Sequence, residues 1–179
     1  MKAILVVSCF FFSFFQAIAQ QTKVNPIIRS YGSVWEIPNA AEKADKNMEY
    51  KILVDITNQA EKPDTLNLYL EAIATLMNLH GSTGVPASNL KVVAVIHKMA
   101  TFSILNQEKY RQRFKTDNPN LPLISELSNA GVQFFVCGQN LIRGKLTEND
   151  ITPEVKVATS ALTTLTTYQL KGYALINFK

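Results

Sequence analysis

The sequence predicts an α/β protein, a three-layer α/β/α sandwich on a mainly parallel sheet of about four to five strands. Three observations carry this reading. Short apolar runs alternate with longer amphipathic stretches, the order expected when helices join parallel strands. The runs are continuous rather than alternating, as in Leu90 to Ile96, which suits strands buried on both faces. A length of 179 residues, 47% of them hydrophobic, matches one globular domain.

Residues 1–20 combine Lys2, an apolar run through Phe15 and Ala17-Ile18-Ala19. A cationic start, a short apolar core and a small-x-small ending read as a secretory signal peptide, cleaved after Ala19 or Gln20. The apolar core is shorter than the roughly 20 residues of a membrane span. Lipoprotein processing at Cys9 is the alternative, and the apolar run continuing past Cys9 argues against it. The expected location is periplasmic or secreted, with no membrane attachment after cleavage. Residues 21–48 form an irregular N-terminal segment, pinned to the domain by Tyr31, Val34 and Trp35, and residues 49–179 form the domain.

Within the domain, Tyr50 to Ile56 reads as the first strand. Pro63-Asp64 then opens a helix with Asp64 as its N-cap, its apolar positions Leu66, Tyr69, Leu70, Ile73, Leu76 and Met77 recurring at helical spacing. Gly81 to Gly84 stops it. Leu90 to Ile96 is the second strand, and a helical stretch covers Thr101 to Lys115. Asn118-Pro119-Asn120 breaks it, and Leu121 to Asn129 is a short helix closed by Gly131. Val132 to Val136 is the third strand, ending at Cys137-Gly138. Asn140 to Lys145 forms a helical turn, Val155 to Leu170 a long helix, and Tyr173 to Phe178 the last strand. The long helix has no charged residue between Lys156 and Lys171, so a cover is expected on more than one side, with a subunit interface preferred.

Charge excludes some functions. The 18 basic and 14 acidic residues leave +4, and no long basic run points to nucleic acid. Lys109, Arg111, Arg113 and Lys115 alternate with Tyr110 and Phe114 and read as a solvated helix. No Gly-rich loop follows the first strand, so nucleotide phosphate sites are not expected. There is no C-x-x-C, and His80, His97 and one Cys lack zinc-ligand spacing. No metal and no cofactor is expected.

Parallel sheets gather reactive groups outside the carboxyl ends of their strands. That rule selects Asn58-Gln59, His97-Lys98 and Cys137-Gly138-Gln139-Asn140. Signal cleavage removes Cys9, so Cys137 stands as a lone thiol in an oxidising compartment and no intrachain disulfide can form. At a strand-to-helix turn, backbone N–H groups would favour its thiolate, and Gly138 would give the turn freedom. The bland alternative is a Cys packed as a small apolar residue. Cys137 and His97 are the candidate catalytic pair, with Gly138, Gln139, Asn140, Lys98 and Arg143 as candidate binding residues. A cysteine hydrolase is disfavoured, because Val136-Cys137-Gly138-Gln139 lacks the Gln-Ala-Cys context of caspase-like enzymes.

Leu90 to His97, Asn118-Pro119-Asn120-Leu121, Ala130-Gly131-Val132 and Val136-Cys137-Gly138-Gln139 together resemble the DsrE/DsrF-like family. Val155 to Leu162 and Gly172 to Ile176 look like the same family's closing helix and strand. The resemblance spans about Tyr50 to Phe178. It implies an α/β/α fold, oligomers (commonly trimers or hexamers), and a sulfur carrier or sulfurtransferase with a sulfur donor or acceptor protein as partner. A strand-end cysteine would carry the persulfide, here Cys137. The family often has Gly after the histidine, where this chain has Lys98, and its well-described members are cytoplasmic. A non-catalytic module binding a small molecule or a partner is the alternative on the same fold.

Overall fold

A computed structural model describes residues 21–178. The signal peptide read from residues 1–20 lies outside the described residues. The chain opens with an antiparallel pair, β1 (Lys23–Val24) and β2 (Val34–Trp35). It continues through β3 (Tyr50–Ile56), α1 (Leu68–Ser82), β4 (Leu90–Ile96), α2 (Gln107–Phe114), α3 (Leu121–Asn129) and β5 (Gln133–Cys137). It then runs through α4 (Gly138–Arg143), β6 (Val155–Ala158), α5 (Ala161–Leu170) and β7 (Ala174–Asn177). The last five strands make one parallel sheet in the order β6-β5-β4-β3-β7. Helices on both faces complete a three-layer α/β/α sandwich.

Side-chain alternation splits the interior into two cores. Ile52, Val54, Ile56, Val92, Ala94, Ile96, Phe134 and Val136 point to one face, where α1 and α3 cover them with Leu70, Ile73, Met77, Leu123, Ile124 and Leu127. The opposite face holds a small core of Leu53, Val93, Val95 and Cys137, closed by Ala161 of α5, with Phe135, Leu165, Tyr168 and Tyr173 packed around it. Alternation along β3 and β4 puts Asp55 and His97 on this second face as well.

Three elements differ from the sequence reading. Val155 to Leu170 is not one helix: Val155–Ala158 is an edge strand paired with Phe134–Cys137, and only Ala161–Leu170 is helical. The β-branched Val155 and Val157 suit the strand. Ser160 makes the break, its side chain accepting the Thr163 N–H at 3.1 Å as an N-cap. Likewise α1 starts at Leu68, because Asn67 rather than Asp64 caps it, taking the Tyr69 N–H at 2.9 Å. The stretch expected over Thr101 to Lys115 is a 3₁₀ turn at Lys98–Ile104 followed by α2, whose own cap is Asn106.

A buried amide network fastens the carboxyl edge on the α1 side. Asn67 donates to the Asn58 carbonyl at 2.9 Å and to Ser103 Oγ at 2.8 Å, while its N–H reaches Asn120 Oδ1 at 2.7 Å. Asn118 donates to the carbonyls of Ser103 and Leu105 at 3.0 and 2.7 Å and accepts from Asn120. The loops after β3 and β4 and the start of α3 are thereby tied together.

A second amide holds the N-terminal segment. Asn78, fully buried in α1, accepts the Ile27 and Ile28 N–H groups at 3.0 and 2.8 Å and donates toward the carbonyls of Ile28, Tyr31 and Gly32, each at 3.0 Å. Ile28 is wholly buried and Val34 nearly so, while Trp35 is 48% exposed. Gly32 has φ +64, and a Cβ there would stand 2.3 Å from the Thr75 nitrogen, so only glycine lets the segment cross α1 this closely. Asn78→Ala strands several buried backbone groups and should cost about 3 kcal/mol or more. Urea unfolding checks this, and a loss under about 1 kcal/mol would show that the amide is not what anchors the segment.

Candidate functional site

The site is built by register. Asp55, His97 and Cys137 lie at the carboxyl ends of β3, β4 and β5, three adjacent strands, and share the face that α5 covers. Ile56 pairs with Ile96, and Ile96 with Val136. One step further along the same register sets His97 beside Cys137, one strand spacing (about 4.8 Å) away. The His97 N–H still donates to the Ile56 carbonyl at 3.0 Å, so β4 keeps its pairing to this point.

His97 Nε2 lies 2.7 Å from Asp55 Oδ1, with the two side chains only 13% and 19% exposed. A carboxylate accepts but does not donate, so Nε2 carries a hydrogen, and in the neutral ring the lone pair is then on Nδ1. No hydrogen bond to Nδ1 is made among the described residues. Asp55 was not picked out from the sequence. It stands alone inside an apolar strand, its partner is 42 residues away, and the only signal was an ionisable residue where burial penalises charge.

Cys137 is 5% exposed and lies among Leu53, Val93, Val95 and Ala161. It ends β5 and stands at the N-cap position of α4 with no side-chain capping bond. Its sulfur receives no hydrogen bond among the described residues, so the expected cradle of backbone amides is not formed. The structure thus brings His97 level with Cys137 but pairs the imidazole with Asp55.

Gly138 has a different reason from the conformational freedom expected of it. A Cβ there would meet the Ala158 carbonyl oxygen at 2.8 Å, so glycine lets α4 start hard against β6. Gln139 reaches the Thr159 carbonyl at 3.4 Å, and Asn140 is half-buried in α4. Arg143 is exposed at the far end of α4, about 9 Å along the axis from Cys137. Lys98 is exposed as well, and its backbone holds φ 54, in the left-handed region that favours glycine. The strain falls directly after His97, at the position where the resembled family often carries Gly. Lys98→Gly should relieve most of a cost of about 1–2 kcal/mol, less glycine's own entropy, and raise Tm by about 2 °C. A lower Tm would count against strain at this position.

A separate cleft of about 690 Å³ opens at the carboxyl edge between β3 and β7, with Gln59, Glu61, Leu68, Tyr69, Asn177 and Phe178 in its lining. From β3 the chain proceeds to β4 on one side, while β7 joins on the other. The cleft therefore sits at the reversal of strand order, where open α/β sheets take ligands.

Comparison with known proteins agrees with this architecture. Across 72% of the chain and 99% of its own, a solved structure, "Structure of Protein of Unknown Function MTH1491 from Methanobacterium thermoautotrophicum", superposes with a TM-score of 0.56 at 20% identity. At that identity the likeness shows the fold alone. No protein of curated function matches the chain. The family model for the DsrE/DsrF-like family matches residues 51–178, from the second residue of β3 to just past β7. The chain belongs to the DsrE/DsrF-like family.

Proposed function

We propose that the protein is a sulfur carrier in which Cys137 takes a sulfane sulfur from a persulfide or polysulfide and passes it to an acceptor. One observation carries this reading: in a member of a sulfur-relay-type family, Cys137 follows directly on the Ile96–Val136 pairing that leads into a histidine held by a carboxylate. In the transfer, His97 Nδ1 takes the thiol proton and the thiolate attacks the outer sulfur of a donor R–S–SH. The donor S–S bond breaks, R–S⁻ leaves and recovers the proton from His97, and the products are Cys137–S–SH and R–SH. Treatment of the protein with polysulfide should add one sulfur by intact mass. Cys137→Ser should add none, and a Ser variant that gained the same mass would remove the proposal.

The same reading includes a homo-oligomer assembled on α5, whose outward face carries Leu162 at 75% and Leu170 at 90% exposure among threonines and no charge. Leu162→Glu should shift the mass in solution toward the monomer by light scattering. An unchanged mass would place any interface elsewhere.

Burial of Cys137 favours a second reading, a binding module in which the thiol is a packing residue and the β3–β7 cleft is the site. It requires that the folded protein gain no sulfur and that Cys137 alkylate only on denaturation.

A further inference from the structure

We propose that Asp55 is a positioning residue, setting the tautomer and orientation of His97 for proton transfer from Cys137; what that thiol then does rests on the sulfur-carrier reading. Asp55 interrupts a strand whose neighbours Leu53, Val54 and Ile56 are at most 1% exposed, a place where an unpaired carboxylate is costly. No lysine or arginine pairs with it among the described residues, and its hydrogen-bond partner is His97. As a pure acceptor it holds hydrogen on Nε2 and leaves Nδ1 as the ring atom able to take a proton. When the S–H bond of Cys137 breaks, its electron pair stays on sulfur and the proton moves to Nδ1. The imidazolium so formed then lies 2.7 Å from the Asp55 carboxylate, which stabilises it. Without Asp55 the ring is free to carry hydrogen on Nδ1, a tautomer whose Nδ1 cannot take the thiol proton.

Removing a carboxylate that orients a metal-bound histidine costs about 10- to 100-fold, and a loss of that size is expected for the Asp55–His97 pair. The purified full chain, with Asp55→Asn, Asp55→Glu, His97→Gln and Asp55→Asn/His97→Gln variants and a Cys137→Ser blank, is assayed for iodoacetamide alkylation of Cys137 at neutral pH. Nitrogen-15 spectra of the His97 ring report the tautomer. The expected result is an Nε2–H ring in the wild type, with alkylation slowed about 10- to 100-fold in Asp55→Asn. Partial recovery in Asp55→Glu and no further loss in the double variant relative to His97→Gln complete the pattern. A wild-type ring protonated on Nδ1 overturns the proposal. So does a native Cys137 that does not alkylate, an Asp55→Asn rate within about twofold of wild type, or additive losses in the double variant. Should Asp55→Asn fail to fold, the wild-type tautomer and the His97→Gln rate decide together. A His97-dependent, alkylating thiol that gains no sulfur from polysulfide would end the carrier reading and leave the role of Asp55 standing.

Discussion

Parallel register governs this molecule. Once Ile56, Ile96 and Val136 fall in line across β3, β4 and β5, the residues around the carboxyl ends have no freedom in choosing neighbours. The strand period of two sends Asp55, His97 and Cys137 to one face. A slip of a single residue in any of the three strands would turn one of them to the opposite face, behind a wall of valine and isoleucine. The apolar residues between them enforce the register, because the α1 core accepts only one set of side chains.

The two faces are built to different standards. On one side α1 and α3 bury a deep aliphatic core, and the Asn67–Asn118–Asn120 network fastens the loops above it. On the other, the helical cover over Leu53, Val93, Val95 and Cys137 is α5, ten residues long and held by Ala161 and a ring of aromatics, Phe135, Tyr168 and Tyr173. The polar pair of Asp55 and His97 lies on this thinner side. Ionisable groups are less costly where burial is incomplete, and both side chains keep a measurable part of their surface open.

What the sequence disclosed followed from local signals. Tyr50–Ile56 and Leu90–Ile96 are strands to the residue, because short apolar runs rich in β-branched residues have few alternatives. Leu121–Asn129 is a helix with the expected bounds, set by Asn-Pro-Asn before it and glycine after it. β6 was missed because Val155-Lys156-Val157-Ala158 joins a following helix without Gly or Pro, and the signal to weigh was the cap at Ser160. The place of Cys137 and His97 at the carboxyl ends of their strands was legible from the strand order. The Asp55 contact and the five hydrogen bonds of Asn78 were not, since each joins residues 42 to 51 positions apart and neither has a local motif.

The family match begins at residue 51, yet the structure does not divide there. Ile28 fills the main core, and the side chain that receives its backbone, Asn78, belongs to the matched region. A polypeptide trimmed to the family's limits would strip the Asn78 amide of those peptide groups and would bare the hollow left by Ile28 to water. Residues 21–48 are thus packed into the same folding unit as the matched region, through Ile28 and the amide of Asn78.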